Sequence, residues 1–170
     1  MELWDVYDAD RRPTGRTAER GAAHSSAECQ LVVHVCLFNP RGELLIQQRH
    51  RAKRAYPEYW DVSAAGGVIS GETPREAAAR EVREELGLTV EITPPAAVTL
   101  AFAGGFDDYF LVDCDVPLDA LTLQPDEVQD ARWATQAEIR ALLEADRFAP
   151  YWPSFLDLLF DLHRHMGLRE

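Results

Sequence analysis

The sequence is poor in cysteine and has no long apolar run. Its three cysteines are an odd number without CxxC spacing, which argues against a disulfide framework or a zinc site. No stretch approaches the roughly 18 apolar residues that span a bilayer, and the acidic N-terminus lacks the apolar segment of a signal peptide. We therefore expect a cytoplasmic protein with no membrane partner.

Basic residues are also scarce. The chain has 17 Lys and Arg against 29 Asp and Glu, which gives a net charge of −12. Nucleic acids are bound through clustered Lys and Arg, so this balance predicts no nucleic-acid partner. An anionic small molecule would bind only where local arginines or metal cations overcome the overall negative field.

The hydrophobic pattern predicts one α/β domain over residues 1–170. An N-terminal β-hairpin is expected within residues 3–20, followed by a polar loop to residue 28. Glycines 66 and 67 are expected to form a turn. Further strands are predicted over residues 31–38, 43–49, 59–63, 90–101, 106–116 and 131–133, and helices over 74–86, 136–144 and 154–165. This pattern is typical of a mixed β-sheet covered by helices on both faces.

The helix at residues 74–86 has well-marked ends. Thr73 followed by Glu76 forms a capping box, and Pro74 occupies the first helical position, where its missing N–H costs nothing. Gly87 can take the left-handed conformation that ends a helix. The sequence therefore predicts both boundaries of this element.

Three carboxylates share one side of this helix. At about 100° per residue, Glu81, Glu84 and Glu85 fall within about 100° of arc, and Arg83 points away from them. Like charges at this spacing each cost roughly 0.2–0.5 kcal/mol, and anions in the last turn oppose the helix dipole. Carboxylate oxygens are the ligands that Mg²⁺ prefers, so the cluster indicates a cation site. Taken alone, it would equally suit a solvated acidic face.

The surrounding segment, residues 66–88, makes the pattern far more specific. It reads Gly66-x5-Glu72-x7-Arg80-Glu81-Val82-x-Glu84-Glu85-x-Gly87-Leu88. This resembles the Nudix box, GX5EX7REUXEEXGU with U a bulky aliphatic residue, at every defined position. The resemblance implies a Nudix α/β/α sandwich and metal-assisted attack of water on a diphosphate linkage.

The resemblance also implies roles for individual box residues. Oxygen ligands for Mg²⁺, or for Mn²⁺ as a substitute, would be the Gly66 carbonyl and the carboxylates of Glu81, Glu84 and Glu85. Glu84 and Glu81 rank equally as the general base, and the base can also lie outside the box. Arg80 would orient a carboxylate or pair with Glu72 to hold the loop, and Gly87 would end the helix.

Two further stretches supply candidates for substrate binding. The residues are the basic Arg49, Arg51, Lys53 and Arg54 and the acidic Asp126 and Glu127. Cations stabilise the phosphoryl transition state, and Nudix enzymes often place an additional acid near the second stretch. A solvated loop is the alternative for each of them. The predicted substrate is a small nucleoside di- or triphosphate.

Residues 2–8, 38–49, 59–66 and 126–133 resemble the isopentenyl diphosphate isomerase-like Nudix proteins. True isomerases of this branch carry a catalytic Cys where this chain has Ala65. They carry metal-binding His residues where it has Gly67 and Gln30, and His24 is the one candidate replacement. The sequence therefore favours a hydrolase, with an isomerase or a catalytically silent nucleotide-binding module as alternatives. It leaves open whether the protein is a monomer or a homodimer.

Overall fold

The computed structural model describes residues 2–19, 28–93 and 95–165. This part of the chain contains nine strands and three α-helices. They are β1 (Leu3–Tyr7), β2 (Pro13–Glu19), β3 (Gln30–Phe38), β4 (Leu44–Arg49), β5 (Trp60–Asp61), β6 (Ala64–Gly67), α1 (Pro74–Leu86), β7 (Val98–Phe102), β8 (Gly105–Asp113), β9 (Val128–Ala134), α2 (Gln136–Glu144) and α3 (Pro153–His165). Within the same residues, no helix has the length and apolar character needed to cross a membrane.

The strands form a hairpin and a larger mixed sheet. β1 and β2 pair antiparallel as a separate two-stranded sheet. In the seven-stranded sheet, β3 pairs parallel with β8 and antiparallel with β6, while β4 pairs antiparallel with β5 and β9. Helix α1 packs on one face, and α2 and α3 pack on the other. The predicted mixed sheet between helices, with an N-terminal hairpin, is confirmed.

Strand β3 is buried on both faces because each face is covered by helices. Val33 and Val35 point into the cluster that contains α1, whereas Cys36 and Phe38 point into the cluster that contains α3. Neighbouring side chains of a strand alternate between faces, so an apolar run of this kind supplies both cores at once. This central strand pairs with β6, and so positions the start of the segment, residues 66–88, that resembles the Nudix box.

Helix α1 has the predicted bounds, residues 74–86. The Thr73 side chain accepts a hydrogen bond from the Glu76 N–H, and the Glu76 side chain accepts one from the Thr73 N–H. Gly87 ends the helix with φ of 70°, in the left-handed region. Four apolar side chains of the helix are fully buried, those of Ala77, Ala78, Val82 and Leu86, and their burial turns the acidic side of its last turns towards the edge of the core.

Three local predictions are wrong or fall outside the described residues. Gly66 and Gly67 belong to β6 and pair with β3, so they form strand rather than turn. The expected strand at 90–101 begins only at residue 98. Before it, Leu88 and Ile92 are buried individually rather than as part of a strand, and Pro95 has no N–H to donate to a neighbouring strand. Residues 20–27, which include His24, lie outside the described residues.

Candidate active site

A polar cavity of about 250 Å³ opens where α1, β4, β6 and the segment before β9 meet. Most of the residues that line it carry charged or amide side chains. They are Glu2, Gln47, Arg49, Lys53, Ala65, Gly66, Arg80, Glu81, Glu84, Glu85, Gln124 and Glu127. The fold thus brings all the proposed metal ligands of the box to one cavity.

The three glutamates of α1 differ in their surroundings. Glu81 lies directly against Gly66, where a Cβ atom would collide with the Glu81 carboxylate. Glu85 is buried and accepts hydrogen bonds from Gln47 Nε2 at 2.7 Å and from the Ala65 N–H at 3.3 Å. Burial, together with the neighbouring charge of Glu81, raises the pKa of Glu85 to about 8. Glu84 has the most exposed side chain of the three.

Arg80 connects the box loop, residues 68–72, to these carboxylates. Its Nε and Nη2 atoms donate to the two carboxylate oxygens of Glu72 at 2.8 and 3.0 Å. Nη2 also donates to the Gly67 carbonyl at 2.9 Å. Nη1 donates to Glu81 at 2.6 Å and to Glu84 at 3.2 Å. Burial alone would lower the pKa of Arg80, but Glu72 and Glu81 raise it above its usual value.

These contacts correct the electrostatic prediction made from the helix alone. Arg83 is exposed as expected, but Arg80 reaches two of the three carboxylates, so the cluster is partly neutralised within the protein. Residues 2–19, 28–93 and 95–165 contain no group of three or more His, Cys, Asp or Glu side chains that already stand ready to hold a metal ion.

The available donors nevertheless fit a hard divalent cation. Every candidate is a carboxylate or carbonyl oxygen, as Mg²⁺ and Mn²⁺ prefer. Gly66 leaves the space that the Glu81 carboxylate occupies, and the Glu84 side chain is 48% exposed and so has room to turn. The chemistry of the donor set therefore suits the metal that the box implies.

The candidate substrate-binding residues divide into two groups. Arg49, Lys53 and Glu127 line the cavity, and the Lys53 ammonium group pairs with the Glu127 carboxylate. Arg49 Nη1 donates to Asp61 at 3.4 Å. The other three candidates are exposed and do not line the cavity: Arg51, Arg54 and Asp126.

Several neighbours of the box were not predicted from the sequence. Gln47 is buried at the end of an apolar strand, and this polar residue in an apolar run was the available signal. Glu2 and Gln124 line the cavity from segments with no local pattern to mark them. The Trp4 indole packs on Gly67, and no local pattern marks this contact either.

A second cavity, of about 500 Å³, lies between α2 and α3 and is lined in part by Phe148, Tyr151 and Trp152. It is larger than the polar cavity, but no residue of the box lines it. We place the chemistry in the smaller cavity because oxygen donors and cationic side chains face each other there.

Comparisons with known proteins identify the family of the chain. The family model described as NUDIX domain matches residues 29–155. An uncharacterized Nudix hydrolase of Listeria monocytogenes is 47% identical over 163 residues, which cover 95% of this chain and 95% of that protein. An isopentenyl-diphosphate Delta-isomerase of Shigella dysenteriae is 34% identical over 153 residues, which cover 85% of this chain and 82% of that protein.

A solved structure supports the same relationship at the level of the fold. The crystal structure of DR0079 from Deinococcus radiodurans has a TM-score of 0.74 at 26% identity, covering 93% of this chain and 97% of that one. The isomerase relative is more distant in sequence than the Listeria hydrolase. The chain therefore belongs to the Nudix family, whose hydrolases cleave pyrophosphate-containing compounds.

Proposed function

We propose that this protein is a Mg²⁺-dependent pyrophosphohydrolase that cuts the diphosphate linkage of a nucleoside di- or triphosphate. One observation carries the proposal: the oxygen donors of the box and two cationic side chains, Arg49 and Lys53, open into the same small cavity. Acidic groups for a metal and basic groups for phosphate are the two requirements of this reaction.

The residues of the chain would divide the work as follows. Glu81, Glu84, Glu85 and the Gly66 carbonyl would hold the ion. When bound, Mg²⁺ supplies positive charge that neutralises the diphosphate oxygens and polarises water. Arg49 and Lys53 would bind the phosphate oxygens, and Lys53 would exchange its contact with Glu127 for the substrate.

The proton would be taken by a carboxylate of α1. As water bonds to phosphorus, the bond from phosphorus to the bridging oxygen breaks, and the water proton passes to Glu84 or Glu81. Both side chains reach the cavity, so the choice between them stays open. Arg80 would hold the Glu81 carboxylate in place through the hydrogen bond it donates.

The cavity favours a polar substrate over an isoprenoid diphosphate. Among the described residues that line it, only Ala65 carries an apolar side chain, so an isoprenoid chain would find little apolar surface. Ala65 also has no thiol for proton transfer. A His at position 67 would collide with the Trp4 indole, which lies 2.8 Å from where a Cβ atom would stand.

The proposal is tested with a panel of nucleotides and Mg²⁺, assayed for phosphate with and without added phosphatase. Glu84→Gln and Glu85→Gln should each lower kcat by at least about 100-fold, because each removes a metal or base oxygen. Glu91→Gln is the matched control, since this exposed glutamate lies outside the cavity. Its activity should equal that of the wild type.

The other outcomes identify the alternatives. Turnover of isopentenyl diphosphate without nucleotide hydrolysis would establish an isomerase. Nucleotide-induced thermal stabilisation without any product would establish a silent binding module. Either result would end the hydrolase proposal.

A further inference from the structure

The N-terminal hairpin contacts the box loop although it lies outside the part of the chain that the NUDIX family model matches, residues 29–155. The Ser70 N–H donates to the Leu3 carbonyl at 2.7 Å. The Ser70 hydroxyl donates to Asp5 Oδ1 at 2.7 Å, and the Gly71 N–H donates to Asp5 Oδ2 at 3.1 Å. The two oxygens of the Asp5 carboxylate thus accept hydrogen bonds from two consecutive loop residues.

A neighbouring contact packs the same strand onto the box. Trp4 is 9% exposed, and its indole lies on Gly67, whose missing side chain leaves the space for it. The hairpin therefore touches the box before and within the loop, through Gly67, Ser70 and Gly71. Three consecutive residues of β1 make these contacts, which gives the hairpin a defined position on the loop.

The held loop residues lead directly to the carboxylates. Gly71, with φ of 85°, immediately precedes Glu72. Glu72 accepts two hydrogen bonds from Arg80, and Arg80 donates to Glu81. A displacement of the loop at Gly71 would move Glu72, and the Arg80 guanidinium would then keep only its bond to the Gly67 carbonyl to hold it against Glu81.

We infer that Asp5 is a positioning residue for the metal site: it holds the box loop in the conformation in which Glu72 and Arg80 set the Glu81 carboxylate. The inference rests on the proposed function, because it assigns Glu81 to a metal ion. Hydrogen bonds to a charged acceptor are among the stronger ones in proteins, and Asp5 accepts two of them from the loop. Residues that orient metal ligands typically affect metal affinity or activity by about 10–100-fold.

The experiment measures Mn²⁺ binding to the full chain by titration calorimetry in the absence of nucleotide. Asp5→Ala and Ser70→Ala should each weaken Mn²⁺ binding by about tenfold. The double variant should bind Mn²⁺ no more weakly than Asp5→Ala does, because Asp5→Ala already removes the one contact that Ser70→Ala removes. Ser70→Thr keeps a hydroxyl and should restore most of the affinity.

Asp10→Ala is the matched control. Asp10 belongs to the same hairpin, is exposed, and its side chain pairs with Arg12 rather than with the box loop. Its Mn²⁺ affinity should equal that of the wild type. Thermal unfolding of every variant, recorded without metal, separates a loss of Mn²⁺ affinity from a loss of folded protein. If Asp5→Ala fails to fold, Ser70→Ala and Asp5→Asn carry the test, since Asn cannot accept both hydrogen bonds.

Folded Asp5→Ala and Ser70→Ala proteins that bind Mn²⁺ as tightly as the wild type would overturn the inference. Because Mn²⁺ binding is measured without nucleotide, failure of this inference can be told apart from failure of the proposed function. Weakened Mn²⁺ binding in a protein that hydrolyses no nucleotide would leave the positioning role standing and remove the proposed function. Nucleotide hydrolysis by the wild type, with unchanged Mn²⁺ affinity in Asp5→Ala, would do the reverse.

Discussion

At the scale of the residue, Arg80 has the largest share of the contacts around the box. Its planar guanidinium carries five N–H donors in a fixed geometry, and here they reach Glu72, the Gly67 carbonyl, Glu81 and Glu84. Only 12% of its side chain is exposed, so few of these donors could turn to water instead. A lysine has a single ammonium group and cannot satisfy the loop and the helix together.

Arg80→Lys should therefore lower both activity and stability. We expect kcat to fall by about 10–100-fold, as for other residues that orient metal ligands. The free energy of unfolding should fall by about 2 kcal/mol, because hydrogen bonds between charged groups are lost from a mostly buried site. Steady-state kinetics and denaturant unfolding measure the two effects.

Arg83→Lys provides the comparison for this variant. It makes the same change on the same helix at an exposed position that does not line the cavity. Both its kcat and its stability should match the wild type. Equal behaviour of the two Lys variants would show that the fork of hydrogen bonds at Arg80 has no special role.

At the scale of the element, helices α1 and α2 begin with the same device but have different tasks. Each starts with a capping box, formed by Thr73 with Glu76 in α1 and by Thr135 with Glu138 in α2. Only α1 carries residues of the cavity. The two caps therefore form a matched pair in which stability and activity can be separated.

Thr73→Ala and Thr135→Ala should each cost about 1 kcal/mol of unfolding free energy, the usual contribution of such a cap. Only Thr73→Ala should also raise the Mg²⁺ concentration needed for half-maximal activity, because it loosens the first turn of α1 beside the box loop. Chemical denaturation and Mg²⁺ titration of activity measure the two effects. An equal Mg²⁺ requirement in both variants would contradict this coupling.

The caps also have a defined pH dependence. Hydrogen bonds from the backbone and side chain of Thr73 lower the pKa of Glu76, and those of Thr135 lower the pKa of Glu138. The folded protein therefore favours the ionised carboxylate. The contribution of each cap to the free energy of unfolding is complete above pH 4.5, the ordinary pKa of a glutamate, and is lost as the pH falls through the lowered pKa.

The sequence predicted those elements whose signals are local. The bounds of α1 followed from Thr73, Pro74 and Gly87, and the mixed sheet followed from the apolar strands. The contacts of Trp4 and Asp5 with the box left no local signal, since they join residues more than 60 positions apart in the chain. A helical projection does not show how the long Arg80 side chain turns towards Glu81, so a contact of Arg80 with a carboxylate was implied only by the resemblance to the Nudix box.

At the scale of the whole molecule, the net charge is −12, and three of the acidic residues lie together on one side of α1. From this charge we predict that the protein has no affinity for nucleic acid. A bound divalent cation would relieve repulsion that Arg80 neutralises only in part. The overall charge and the local site therefore favour the same small cationic partner.

Addition of Mg²⁺ should raise the thermal midpoint of unfolding. A ligand that binds only the folded state stabilises it by about 2.7 kcal/mol at 100 times its dissociation constant. KCl at equal ionic strength should give a smaller shift, and EDTA should reverse the effect of Mg²⁺. Glu84→Gln and Glu85→Gln should respond to Mg²⁺ as they respond to KCl. Differential scanning calorimetry provides the measurement, and equal shifts with both salts would indicate mere charge screening.

The packing of Trp4 on Gly67 limits the order in which this chain could change its chemistry. A histidine at position 67 has no room while the indole is present, so residue 4 would have to become smaller first. That first substitution brings no catalytic benefit, and it would loosen the hairpin on the box loop. A buried tryptophan that packs next to Gly66 thus stands between the present site and one that carries a histidine at position 67.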